Sequence, residues 1–150
     1  MDFELRQLDI SNIDRIKNFF ADVFTREPWN DDWSNEEQLH CYIMDLIGQT
    51  NSLTLGFFLN GEMVALAMGH IRHWYSGTEY YIDEFCVCRA KQGLGIGTKF
   101  LKSVEQYIAS RDMKYIFLQT ERSVPAYHFY KKNEFIELTD HVSFSKDIKL

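Results

Sequence analysis

Cysteine, proline and long apolar runs are all scarce in this chain, and each scarcity removes a class of protein. The three cysteines, Cys41, Cys86 and Cys88, are odd in number and form no C-x-x-C pair, and the last two lie too close in sequence for an ordinary bridge. A disulfide framework is excluded, and reduced thiols are expected. No apolar run approaches the roughly 18 residues that a membrane helix needs, and the acidic opening Met1-Asp2-Phe3-Glu4 lacks the basic start of a secretory signal. A cytoplasmic location with no membrane partner is the expectation. With only two prolines, the chain also has no low-complexity stretch, repeat or linker. Basic residues are outnumbered 16 to 22, for a formal charge of −6. That balance argues against a nucleic-acid partner, which rewards clustered Lys and Arg.

What is present suits one globular domain spanning 1–150. Twelve phenylalanines, eight tyrosines and three tryptophans supply an aromatic core. Charge is divided along the chain: residues 1–88 carry 5 basic and 15 acidic side chains, a balance of −10, whereas residues 89–150 carry 11 and 7, a balance of +4. Such a division suits a phosphorylated ligand held by the second half and a cationic one met by the first, although acidic helix faces turned to solvent give the same count.

The hydrophobic pattern orders the elements. Phe3 to Leu8 reads as a strand, and Ser11 with Asp14 caps a helix bearing Ile13, Ile16, Phe20, Val23 and Phe24 on one face. After a break at Arg26 to Asp32, Ser34 with Glu37 caps a second helix carrying Leu39, Tyr42, Ile43, Leu46 and Ile47. Leu53 to Leu59 and Met63 to Trp74 flank Asn60-Gly61, a strong hairpin signal, and a turn at residues 75–78 leads into a third strand, Glu79 to Cys88. A glycine-rich loop, Arg89 to Gly97, precedes a helix through Ile96, Phe100, Leu101, Val104 and Ile108. Tyr115 to Gln119 reads as a buried strand, Pro125 opens a helix through Lys132, and Phe135 to Phe144 reads as one or two final strands. The fold class is α+β with a mixed sheet.

Gln92-Gly93-Leu94-Gly95-Ile96-Gly97-Thr98 stands between a strand and a helix, where unpaired N–H groups and the positive helix end attract phosphate oxygens. It is not GxxxxGK[ST], nor does it open a βαβ repeat as a GxGxxG fingerprint does. The GxGxG of methyltransferases sits early in a larger parallel sheet, for which the residues after Gly97 are too few.

Gln92 to Gly97 resembles the Q/R-x-x-G-x-G/A signature of the GNAT superfamily of N-acetyltransferases, on the same strand, loop and helix. The element order over nearly the whole chain is similar, and Ala126 to Phe135 resembles the family's A-x-x-F-Y-x-x-x-G-F segment with Glu134 in place of glycine. Tyr81 to Val87 is similar to the corresponding strand of polyamine acetyltransferases. The resemblance implies a GNAT-like, mostly antiparallel twisted sheet with a splayed central strand pair flanked by helices. It implies acetyl-CoA as cosubstrate, its pyrophosphate on Gln92, Gly93, Leu94, Gly95, Ile96, Gly97 and Thr98 and its pantetheine arm along the backbone of Phe85, Cys86 and Val87. Dimers are common in the family, which leaves room for a homodimer.

Acetyl transfer to an amine needs the neutral amine, yet alkyl amines with pKa ~10 are mostly protonated at neutral pH. Asp83 and Glu84 are the candidates for general base and substrate anchor. Alternation along a strand turns them to opposite faces unless a bulge intervenes. The resemblance assigns Tyr130 as the acid that protonates the departing thiolate. Glu27, Trp29, Asp31 and Asp32 follow the first helix and suit an ammonium group by charge and cation–π attraction, or else form a loop pinned by aromatic packing. A zinc site from His70, His73, Cys86 and Cys88 is excluded, since a turn at 75–78 sets His70 opposite Asp83 and Cys86 roughly 10 Å farther along. The reading is an N-acetyltransferase for a primary amine of a small cationic acceptor, polyamine- or aminoglycoside-like. A protein lysine or N-terminal acetyltransferase and a non-catalytic acyl-CoA-binding module are the rivals.

Overall fold

Strand segments buried at every position need cover on both faces, and β2 (Ser52–Leu59) and β3 (Glu62–Trp74) contain such segments, 53–58 and 63–69, in which Thr54 is the one polar side chain. In the computed structural model, which describes residues 2–149, they lie at the centre of a five-stranded sheet ordered β1-β2-β3-β4-β5. The outer members are β1 (Phe3–Leu8), β4 (Gly77–Val87) and β5 (Tyr115–Leu118). β1 to β4 are antiparallel neighbours, and β5 runs parallel to β4.

Helices α1 (Ile13–Phe24) and α2 (Glu36–Ile47) cover one face, burying Phe20, Ile43 and Leu46 with Leu66, Met68 and Cys86 from the sheet. α3 (Ile96–Ala109) covers the other, burying Phe100 and Val104 with Leu55, Ala65, Ala67 and Tyr80. Each large side chain so enclosed contributes roughly 1.5–3 kcal/mol. The α+β class and the mostly antiparallel sheet flanked by helices agree with the sequence. The chain divides into two compact units, Met1–Gln119, which holds these elements, and Thr120–Leu150, which holds α4 (Pro125–Lys132).

Local chemistry differs from the sequence reading in four places. Asp9, not Ser11, caps the entry to α1: it accepts the Ser11 N–H at 2.8 Å and starts a 3-10 turn, Ile10–Asn12, ahead of the helix. Asn35, not Ser34, caps α2 by accepting the Gln38 N–H at 3.0 Å. Asx side chains cap at least as well as serine, so neighbouring candidates are decided by loop geometry. The β3–β4 turn is shorter than expected, with Trp74 opposite Gly77, so His70 faces Tyr81 rather than Asp83. Finally, among the described residues no strand follows α4, although Phe135 to Phe144 reads as one or two. A strand exists only through its ladder partners, and the second unit taken by itself holds none. The Asn60-Gly61 hairpin is as expected, with positive φ at both residues (51° and 87°).

Candidate active site

β4 pairs with β5 only over Glu79 to Ile82, after which Asp83 to Val87 continue with no β5 partner. This is the parting of parallel strands that the sequence reading expects. At the same point the β3–β4 register slips: Gly69 faces Ile82 but Met68 faces Glu84, leaving Asp83 as an extra residue in a bulge. Gly69 permits this, since a Cβ there would collide with the Tyr81 carbonyl oxygen.

The bulge cancels the alternation that would separate the two acids. Glu84 accepts a hydrogen bond from the Tyr42 hydroxyl of α2 at 2.7 Å. Asp83 Oδ2 meets Nδ1 of His70 at 3.1 Å, and the His70 ring stacks on Tyr81 with centroids 4.8 Å apart. Both carboxylates therefore face the side of the sheet covered by α1 and α2. Burial pushes the Glu84 carboxyl up to about 7; the Tyr42 hydrogen bond opposes this, and the negative fields of Asp83 and Asp31 reinforce it. A carboxyl group poised there exchanges protons at neutral pH.

Asp31 reaches this neighbourhood because its N–H donates to the Phe24 carbonyl at 2.9 Å, pinning the α1–α2 loop to the end of α1. In the same loop Trp29 packs on Phe24, with ring centroids 5.4 Å apart. Asp32 has a local duty instead: hydrogen bonds from the Ser34 side chain and, at 3.0 Å, from the Ser34 N–H hold its exposed carboxyl below the usual range. Glu27 is exposed on this loop. Of the four expected acceptor-site residues, Asp31 is the one whose charge acts on Glu84. Tyr42, which reads as one position of an apolar stripe, is the participant that sequence reasoning missed; its polar tip was the available signal.

Beyond β4 the chain makes a 3-10 turn, Arg89–Lys91, and the Gln92 side-chain amide donates to the Val87 carbonyl at 3.0 Å, tying the loop to the strand's end. Gly93 and Gly95 both take φ of +78°, a left-handed conformation that favours glycine, and nothing lies within 4 Å of where a Cβ would stand. The Lys99 N–H bonds the Gly95 carbonyl at 3.2 Å, so the N–H groups of Ile96, Gly97 and Thr98 have no partner within α3. Open space, converging N–H groups and a positive helix end fit a phosphate-bearing ligand. The Ile96 side chain is buried and anchors the turn, while Leu94 is exposed. Phe85 stacks on Phe100 with centroids 5.0 Å apart, and Cys86 is buried on the opposite face, where desolvation drives its thiol upward. The Cys86 side chain belongs to the core, and those of Phe85 and Val87 are half-buried against it. Among the described residues no group of three or more His, Cys, Asp and Glu side chains is arranged to hold a metal ion, and no helix is long and apolar enough to cross a membrane.

Tyr130 lies on α4 in the second unit, its ring 5.3 Å from Phe129 and 5.2 Å from Phe135. The Phe135 N–H donates to the Tyr130 carbonyl at 3.0 Å, closing the segment after the helix. Glu134 takes φ of +69° there, the conformation that a glycine at this position would adopt without strain.

Solved structures share this fold. An aminoglycoside acetyltransferase from an uncultured soil metagenomic sample, in complex with sisomicin, is 20% identical; the match covers 98% of this chain and 97% of that one, with a TM-score of 0.74. AAC(6')-Iy in complex with the bisubstrate analog CoA-S-monomethyl-acetylneamine is 13% identical, with 99% and 100% covered and a TM-score of 0.73. A possible acetyltransferase from Clostridium difficile 630 is 14% identical, with 99% of both chains covered and a TM-score of 0.80. No curated protein matches the sequence significantly. A family model adds what fold likeness alone does not: residues 13–135 match the acetyltransferase (GNAT) family, a span that takes in the bulged strand, the glycine turn and the tyrosine helix. With most of its length matched, the chain belongs to the GNAT acetyltransferase family.

Proposed function

We propose that the chain, as a single domain over 1–150, is an acetyl-CoA-dependent N-acetyltransferase whose acceptor is a primary amine on a small, multiply cationic molecule of the polyamine or aminoglycoside kind. Family membership supports the reaction. The observation that carries the acceptor class is the acidic group on the α1/α2 face, where Asp83 and Glu84 share one side of the sheet and Asp31 adds its field. Complexes of the structural relatives with sisomicin and with an acetylneamine analog point the same way.

In this reading Gln92 ties the loop to the end of β4, the N–H groups from Gly93 to Thr98 hold the cosubstrate's pyrophosphate, and the backbone of Phe85 to Val87 lies along its arm. When bound, the cosubstrate supplies an acyl thioester. Asp31 and Asp83 hold ammonium groups of the acceptor. Glu84 takes the proton from the attacking amine, directly or through water, and Tyr130 gives a proton to the departing sulfur.

The test is release of free thiol from acetyl-CoA across a panel of polyamines, aminoglycosides and lysine peptides, alongside calorimetric titration with the coenzyme. Turnover with the small polycations and saturable coenzyme binding are expected. Binding without turnover on any amine would favour a non-catalytic module, and turnover on peptides alone would move the acceptor to protein amines. Replacing Tyr130 by Phe is expected to lower kcat about a hundredfold or more with coenzyme affinity unchanged; full turnover would remove the acid assignment.

A further inference from the structure

The Glu84 carboxylate is not positioned by its own strand alone. Its hydrogen bond comes from Tyr42, in the middle of α2, at 2.7 Å. The Tyr42 ring is in turn one corner of a three-ring cluster. Trp33 from the α1–α2 loop stacks on it nearly parallel, with centroids 5.2 Å apart and planes 17° from coplanar. Phe20 of α1, fully enclosed in the core, lies 5.9 Å away and also meets Trp33 edge-on at 5.5 Å. Three separate segments thus converge on one phenol, whose only polar atom is directed at the candidate base.

We infer that Tyr42 is a positioning residue for Glu84: packed into one aromatic cluster with Trp33 and Phe20, it fixes the carboxylate on the acceptor face and selects its ionised form. The inference rests on the reading of Glu84 as general base. The ionised form is selected because a phenol O–H donates more strongly to a carboxylate than to a carboxylic acid. The groups facing Glu84 are few. Asp83 from its own strand and Asp31 from the α1–α2 loop both oppose its ionisation, Cys86 is a buried neutral thiol, and His70 on β3 engages Asp83. Among the groups that act on Glu84, Tyr42 alone favours its charge. Losing the hydroxyl therefore moves the carboxyl further up from about 7.

Tyr42→Phe keeps the ring and its stacking partners, so it isolates the hydrogen bond. Trp33→Leu keeps the hydrogen bond's two groups but removes the ring stacked on Tyr42. Two readouts are required. The first is the titration of the Glu84 side-chain carbon by NMR in carbon-13-labelled protein without substrate, the signal being assigned by its loss in Glu84→Gln. The second is the pH profile of kcat/KM for the best amine of the panel.

Tyr42→Phe is expected to raise the midpoint of the carbon titration by about one pH unit. The acid limb of kcat/KM should move by the same amount, so that activity at pH 7 falls several-fold and recovers at alkaline pH. Trp33→Leu is expected to move both in the same direction by less, and thermal melts confirm that each variant is folded. A carbon midpoint unmoved in folded Tyr42→Phe overturns the inference. A moved midpoint with an unmoved activity limb instead overturns Glu84 as the base, leaving the hydrogen bond's effect on the carboxyl established.

Discussion

Keeping a carboxyl group at about 7 inside a protein has a cost that the residue itself reveals. The folded state holds the Glu84 proton across the interval from the ordinary value of 4.5 up to about 7, where the unfolded chain has already released it. Stability contributed by Glu84 is therefore lost as pH rises through that window, the reverse of a carboxylate held below its usual range. Glu84→Gln retains an acceptor for the Tyr42 hydroxyl and escapes the penalty. It is expected to be as stable as the parent below pH 4 and more stable at pH 8, by up to about 3 kcal/mol in denaturant titrations. Its kcat/KM is expected to fall by a factor of about 10² to 10⁴ and to lose the limb near pH 7. A variant losing stability at both pH values would mean that the carboxylate is held for structure rather than for proton transfer.

Among the elements, the bulge in β4 decides whether there is a two-carboxylate site at all. Gly69→Ala puts a methyl group into the Tyr81 carbonyl, and the strands can relieve that only by separating or by restoring a regular register. Restored pairing would turn Asp83 and Glu84 to opposite faces. The expected result is a loss of about 1–3 kcal/mol in stability, with a fall in kcat/KM measured well below the melting temperature that the folded fraction does not explain. Activity that simply follows the folded fraction would mean that the shared face is dispensable. This element also marks the limit of what the sequence discloses. The helices, the Asn60-Gly61 hairpin and the glycine turn were legible because each is written in local periodicity or in residues with special backbone freedom. The bulge was not, because Gly69 and Asp83 are fourteen residues apart and only their pairing creates it. The contact of His70 with Asp83 was expected from a register wrong by two, and a shift of two preserves the face of a strand. Tyr42 was hidden for a related reason, since a helical stripe tells which way a residue faces but not which polar atom waits across the interface.

Across the whole molecule, the formal charge of −6 belongs entirely to one stretch of chain. Residues 1–119 carry 11 basic and 17 acidic side chains, whereas residues 120–150 carry five of each. Within the first of these, the surplus of base lies after residue 88, on the turn Arg89–Lys91, α3 and the loop before β5, while the surplus of acid precedes it, chiefly on α2, β4 and the α1–α2 loop. The acids that face the proposed amine and the lysines near the proposed diphosphate thus come from different elements of one unit. Such fields act beyond contact distance and are weakened by salt, whose screening length falls from about 10 Å at 0.1 M to about 3 Å at 1 M. For a polycationic acceptor, KM is expected to rise steeply between these salt concentrations, because several ammonium groups interact with Asp31, Asp83 and the wider acidic surface. A monoamine of similar size should show a much shallower rise, and kcat should change little for either, since Glu84 and its partners in contact are screened least. Steady-state kinetics on the two acceptors over the same salt series make the comparison. Equal slopes would mean that the acidic half of the chain plays no part in choosing the acceptor, and that selection rests on shape at the sheet face alone.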